Sequence, residues 1–391
     1  MSLARLSFAL LLPALALAES PKLPGVAGAI QTAIDTRNIP GAVTAVVTKD
    51  KILDLEAIGL ADLATKTPMT PDSMFWIKSM TKPVTAVAVM MLQDEGKLSV
   101  DDPVAKYLPG FAALKTPSGK PANLTLAHLL THTSGLGEGL GESGGPGAQR
   151  AHTLADLIPQ FLASPMLFEP GTRWKYCQSG INTMARIVEV VSGLSFDRFV
   201  QQRLLDPLGM KHTTFYPTAA QLPLVVTLYA KNKTTGALEA EPPRADLLSR
   251  DRPPLGNAGL YSTGPDYARF CQMLLNDGEL DGRRYLKPGT VKFLSTVRTG
   301  DLKAGFVPGS AWALGVGVVT KPQGVTAMLS PGTFGHGGAF GTQAWIDPVK
   351  GVAYILMIQR ATFGTPGYRN GDDTQVRHDF QQAAVDALAA R

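Results

Sequence analysis

Strand-spaced apolar residues lie at both ends of this 391-residue chain and helix-spaced ones fill its middle, an order that few folds can satisfy. Residues 42–48 and 52–60, with Lys49-Asp50-Lys51 between them, read as a hairpin of β-rich strands. Residues 312–320, 343–347 and 352–358 read as three more strands, the last two joined by the turn Asp347-Pro348-Val349-Lys350-Gly351. Helical spacing marks residues 126–131, 154–162, 181–192, 196–204 and 265–276. The simplest topology is one sheet drawn from both ends of the chain, with a helical region inserted between its halves. A closing helix over residues 373–390 sets Val376, Phe380, Ala383, Ala384 and Leu388 at helical spacing, where they can cover one face of that sheet.

The partition expected from this order is residues 19–92 with 258–391 for an α/β sheet domain, and 93–257 for a helical domain. Residues 1–18 read as a secretory signal, with Arg5 near the start, an apolar run from Phe8 to Leu17, and Ala16-Leu17-Ala18 as a small-x-small cleavage site. Subtracting that leader from 391 residues still leaves a chain above the roughly 250–300 residues at which single cores stop growing. The apolar run is too short to span a bilayer, and no later stretch reaches the roughly twenty apolar residues a membrane helix needs. An exported protein, periplasmic or secreted, with no membrane span in the mature chain is expected. The formal charge of +5 is scattered rather than gathered into runs, which argues against a nucleic-acid partner. Cys177 and Cys271 are the only cysteines; a chain of this size needs no covalent staple, and two free thiols are expected.

Ser79-Met80-Thr81-Lys82 is the only Ser-x-x-Lys, and it opens an amphipathic helix in which Val84, Val87, Ala88, Met91 and Leu92 recur at helical spacing. Pro83 fixes the start, because proline is tolerated only in the first turn, and Gly96 stands where a left-handed C′ residue is expected. The i, i+3 spacing sets a hydroxyl beside an amine, which is what a serine nucleophile needs. The helix N-terminus adds N–H groups and a dipole that favour negative charge on the serine oxygen. Further along, Glu169-Pro170-Gly171-Thr172-Arg173-Trp174 is a turn that delivers Tyr176-Cys177-Gln178-Ser179 just ahead of a helix. His336-Gly337-Gly338-Ala339 precedes the Gln343 strand, with glycines that let a ligand approach the backbone. Leu129-Leu130-Thr131-His132-Thr133-Ser134-Gly135-Leu136 and Trp312-Ala313-Leu314-Gly315-Val316-Gly317 accompany these.

With these motifs in this order, the chain resembles the serine β-lactamase and penicillin-binding-protein superfamily, and most closely the family VIII carboxylesterases, which are similar to class C β-lactamases. The resemblance covers nearly the whole mature chain. It implies an α/β (α+β) fold: an antiparallel sheet flanked by helices with an inserted all-helical lobe, and the site between them. It implies Ser79 as the nucleophile, Lys82 as its base partner and Tyr176 as the third catalytic group. The backbone N–H groups of Ser79 and Ala339 map to the oxyanion hole, and Gln178, His336, Gly337 and Gly338 to the substrate side. The chemistry is then two-step acyl transfer through an ester of Ser79, with no metal and no cofactor. Whether Lys82 or Tyr176 holds the key proton stays open, because coupled groups titrate as a unit.

Two departures from the β-lactamase pattern bear on substrate. His336 stands where those enzymes have the lysine of Lys-Thr-Gly, and a histidine is mostly neutral at pH 7, which weakens carboxylate anchoring and favours neutral esters. Gln178 stands where the family often has asparagine, keeping the amide on a longer arm.

Other features read as structural. Gly141-Glu142-Ser143-Gly144-Gly145 matches a nucleophile elbow in sequence, but an elbow needs a strand before it and a helix after it, and this match sits in a glycine-rich stretch, residues 134–148, read as a mobile surface loop. His128 and His132 stand at i, i+4 without the glutamate of a zinc helix. Cys177 reads as a small apolar filler, and Trp312 and Trp345 as core or cleft-wall aromatics. The leading expectation is a serine carboxylesterase acting on small to medium neutral esters. A β-lactamase or D-amino-acid peptidase using the same residues on an amide is the alternative. A module that binds or acylates without turnover is a third reading, marked by a persistent adduct on Ser79.

Overall fold

The computed structural model describes residues 20–36, 38–138, 151–232, 234–361 and 372–390, so the expected leader, residues 1–18, and the elbow-like match around Ser143 lie outside the described residues. Helix α1 (Val26–Asp35) precedes β1 (Gly41–Thr48), β2 (Ile52–Asp62) and the short β3 (Thr67–Pro68). A 3₁₀ turn, Lys78–Met80, runs straight into α2 (Thr81–Asp94). Helices α3 (Leu126–Leu130), α4 (Leu154–Ala163), α5 (Gln178–Ser192), α6 (Phe196–Val200) and α7 (Gly264–Leu275) follow. Strands β4 (Ser310–Trp312), β5 (Gly317–Val319), β6 (Phe334–Gly337), β7 (Gln343–Asp347) and β8 (Val352–Met357) lead to the closing helix α8 (Asp372–Ala389).

These eight strands form one antiparallel sheet in the order β4-β5-β6-β7-β8-β1-β2-β3, so the two ends of the chain meet where β8 pairs with β1. Val43 lies opposite Met357 and Thr48 opposite Val352. Period-2 alternation splits β1 between two cores: Val43, Ala45 and Val47 face the side of α2 and α7, while Ala42 and Val46 face α1 and α8. Both faces are covered, which is why β1 reads as a near-continuous apolar run. As expected, α8 lays Val376, Phe380 and Ala384 on the sheet.

The structure departs from the sequence reading at six places. Residues 312–320 are not one strand but the β4–β5 hairpin, turned at Gly315, whose φ is 75° and whose missing side chain lets the turn approach Ala86 of α2. Residues 334–337 form a strand inside the sheet that glycine-rich sequence conceals. Helix α2 is not amphipathic in effect: every residue from Thr81 to Leu92 is buried, because helices and sheet enclose it on all sides. The stretch read as a mobile loop is buried over residues 134–137, where Gly135 and Gly137 pack against the 164–168 segment; residues 139–150 lie outside the described residues. Helix α1 has no counterpart in the sequence reading, and residues 229–231 and 238–240 form short strands that pair alongside Arg360–Ala361. Cys177 and Cys271 are buried free thiols. Among the described residues no helix is long and apolar enough to cross a membrane.

Candidate active site

Ser79 lies in the middle of the 3₁₀ turn and Lys82 is the second residue of α2, so both side chains leave one continuous helical path, with Ser79 Oγ and Lys82 Nζ 3.2 Å apart. Lys82 is fully buried. Its ammonium position is fixed by two oxygens that can only accept: Gln178 Oε1 at 2.8 Å and the Asn257 carbonyl at 2.9 Å. Asn257 Nδ2 also donates to Gln178 Oε1 at 2.9 Å, which pins that amide. The longer arm of Gln178 is thus spent reaching Lys82. Lys78, just ahead of Ser79, has a φ of 47°, a conformation that costs roughly 1–2 kcal/mol for a residue with a side chain. Its ammonium lies 3.8 Å from the centroid of the Trp76 ring.

Tyr176 arrives from the turn ahead of α5. Its ring lies 4.6 Å from Lys82 Nζ, and its hydroxyl is 3.2 Å from His336 Nε2 on β6. Burial, helped by the nearby Lys82 charge, pushes the His336 imidazole down to about 3, so the ring is neutral at pH 7 as the sequence suggested. The Gly337 carbonyl, 2.6 Å from His336 Nδ1, can only accept. Nδ1 therefore carries the proton, Nε2 accepts, and the Tyr176 hydroxyl donates to it. The N-terminus of α5 is capped by the Glu138 carboxylate, whose two oxygens each lie 2.9 Å from the Gln178 N–H, with Oε2 also 3.0 Å from the Ser179 N–H.

The glycine segment closes the other side. The Gly338 N–H donates to the Thr342 carbonyl at 2.7 Å, and a Cβ on Gly338 would lie 2.1 Å from Thr342 Oγ1 and 2.5 Å from the Ile77 carbonyl. Only glycine lets this loop lie against the chain entering Ser79. From α8, Arg377 clamps the same loop, donating to the carbonyls of Gly338 at 2.9 Å and Gly341 at 3.2 Å.

The structure brings Ser79, Tyr176, Gln178, His336, Gly337, Gly338 and Ala339 to the wall of one cavity of about 340 Å³, with Lys82 buried beneath Ser79. Phe306, Trp312, Val325 and Trp345 supply its apolar wall. His128 and His132 do not pair as metal ligands: each spends Nδ1 on a backbone N–H, of Thr125 and Cys177 respectively. Burial pushes the Cys177 thiol up to about 11, which suits a filler and not a nucleophile. Sequence reasoning missed Asn257, Glu138 and Arg377. The first meets Lys82 through a carbonyl, which every residue owns, and Gln178 through a single side-chain amide with no motif around it; the other two leave only isolated charges.

Comparison with known proteins fits this geometry. A family model described as Beta-lactamase matches residues 26–377. Protein Rv1367c of Mycobacterium tuberculosis (strain ATCC 25618 / H37Rv) is 34% identical over 86% of this chain and 90% of its own. Esterase EstB of Burkholderia gladioli is 27% identical over 86% of this chain and 90% of its own. Among solved structures, that of EstCE1, a hydrolase with promiscuous acyltransferase activity, superposes with a TM-score of 0.78 at 24% identity, covering 92% of this chain and 97% of that one. That likeness shows the fold.

Proposed function

The chain belongs to the β-lactamase family, a family of serine hydrolases, and from that premise we propose that it is a carboxylesterase cleaving small to medium acyl esters through an acyl-enzyme on Ser79. The observation that carries the reading is the orientation of Lys82. Two of its N–H bonds are committed to Gln178 Oε1 and the Asn257 carbonyl, and its third direction faces Ser79 Oγ at 3.2 Å. In the amine form that direction holds the lone pair, aimed at the proton that must leave.

In the proposed cycle Ser79 Oγ attacks the ester carbonyl as its proton passes to Lys82. The oxyanion forms between the N–H groups of Ser79 and Ala339. The bond to the alcohol then breaks; the leaving alkoxide takes a proton from the Tyr176 hydroxyl, which recovers one from Lys82. Water repeats the sequence on the acyl-enzyme and frees the acid. A neutral His336 at the cavity wall and the apolar surfaces of Phe306, Trp312 and Val325 support a neutral acyl group.

The test is hydrolysis of p-nitrophenyl acetate and butyrate by the wild type and by Ser79→Ala. Turnover is expected only in the wild type; equal turnover in both ends the proposal. A second reading, an amide hydrolase acting on β-lactams or D-peptides, is favoured by one observation: the Arg377 guanidinium lines the cavity and offers a cation to a substrate carboxylate. Nitrocefin turnover rivalling that on esters selects it. Export completes the proposal: expression with residues 1–18 present is expected to yield a chain beginning at Glu19, read by intact mass.

A further inference from the structure

We infer that His132 is a positioning residue that holds the Tyr176 phenol in place by bracketing the chain on either side of it. The inference rests on the catalytic role proposed for Tyr176. His132 presents two acceptors to the residues flanking that tyrosine. Its carbonyl takes the N–H of Lys175 at 3.0 Å, and its Nδ1 takes the N–H of Cys177 at 3.1 Å. The imidazole also lies against the phenol ring, with centroids 4.5 Å apart, and Trp312 backs it at 5.1 Å. One residue therefore holds the backbone N–H of the residue on each side of Tyr176 and one side of its ring. The hydroxyl at the far end is left to meet His336.

The arrangement is unfavourable for the residue that makes it, which points to function. The φ of His132 is 59°, a left-handed conformation that disfavours any residue with a side chain. Because Nδ1 accepts, Nε2 carries the proton, and that buried N–H has no hydrogen-bond partner among the described residues. A leucine or phenylalanine would fill the same space without an orphaned donor. What histidine supplies and a hydrocarbon cannot is the Nδ1 acceptor beside Tyr176. Burial, reinforced by Lys82 and His336, holds the imidazole well below its ordinary range, so that lone pair stays available.

The experiment is a double-mutant cycle read as the rate at which an alkyl phosphonate diester, whose alkoxide leaving group calls on the proton proposed to come from Tyr176, labels Ser79, followed by intact mass so that slow variants stay measurable. Against the wild type, His132→Leu keeps the volume and removes the acceptor, and His132→Gly removes the ring while accepting the φ without strain. Each is expected to slow labelling about 30-fold, whereas His132→Asn, which tolerates a left-handed backbone and restores an acceptor, stays within about threefold. In a Tyr176→Phe background the His132→Leu penalty is expected to shrink below about threefold, because nothing remains to be positioned. A penalty of equal size in both backgrounds overturns the inference, as does a folded His132→Leu that labels at the wild-type rate. Failure of both Leu and Gly variants to fold overturns it too, in favour of a purely structural histidine. If Tyr176→Phe itself labels at the wild-type rate, the catalytic reading of Tyr176 fails instead.

Discussion

Ser79 and Lys82 are three residues apart, whereas Tyr176 and His336, which meet across the same cavity, are separated by 160. The first pair is a local construction: a 3₁₀ turn feeding a helix sets the two side chains together wherever that helix ends up. The second pair exists only because the turn before α5 and a strand inside the sheet are brought to one place. On the proposed mechanism the local half carries the nucleophile and its base, and the assembled half supplies the acid, the oxyanion loop and the walls. Substitutions in the first should remove chemistry outright, and substitutions in the second should degrade it by misplacement.

Lys82→Met gives the sharpest break between the halves. It removes the proposed base and takes from Gln178 Oε1 and the Asn257 carbonyl the ammonium they hold. A fall in kcat on p-nitrophenyl butyrate of about 10²–10⁴-fold is expected. Arginine should not rescue it, since a planar guanidinium cannot direct one lone pair at Ser79. A variant within tenfold of wild type would mean that the local pair is not self-sufficient and that Tyr176 is the principal base.

Gly338→Ala tests the assembled half at its tightest approach. The new Cβ meets the Ile77 carbonyl at 2.5 Å, and neither backbone can yield without moving the loop that carries Ala339. Loss of about 10²-fold in kcat with little change in KM is expected, the signature of a displaced oxyanion donor. A proportional rise in KM alone would place the damage in substrate binding instead.

The contrast also explains how much of this molecule is legible in its sequence. Contacts made within one helical turn show as residue spacing, so the Ser79–Lys82 pair and most helices are readable. Asn257 reaches Lys82 from 175 residues away and does so with a carbonyl, so no residue type marks it. Glu138, 40 residues from Gln178, caps α5 from a stretch whose glycines suggest a loose loop, because the packing that buries those glycines lies in another segment. Strand β6 is hidden for a related reason: Gly335 and Gly337 serve close approach and dilute the alternation by which strands are recognised. Helix α2 shows the opposite error, an apparent polar face that the surrounding helices bury.

Glu138→Gln should have a smaller effect than either change above. The amide retains one acceptor oxygen but loses the charge that favours the N-terminus of α5, worth about 0.3–1 kcal/mol. A drop in kcat of about tenfold or less is expected, from looser placement of Tyr176 and Gln178, with the rate of Ser79 labelling falling in step. If kcat falls as far as in Lys82→Met, the two halves act as one cooperative unit.

The smallest effect concerns acid stability, and it separates the halves by pH. In the unfolded chain His336 takes up a proton near its ordinary 6.5, while burial delays this to about 3 in the folded state. Between those values the unfolded state holds more protons, so stability is full above about 6.5 and is lost as pH falls towards 3. The buried, neutral His132 pulls in the same direction. Both imidazoles border Tyr176, so acid strains the assembled half first. His336→Gln removes one of the two: its melting temperature should fall less than that of the wild type between pH 7 and pH 4.5, by roughly 1–3 °C. Parallel curves for the two proteins would show that the imidazole is not held neutral in the native state, and with it would go the assignment of Nε2 as the acceptor for the Tyr176 hydroxyl.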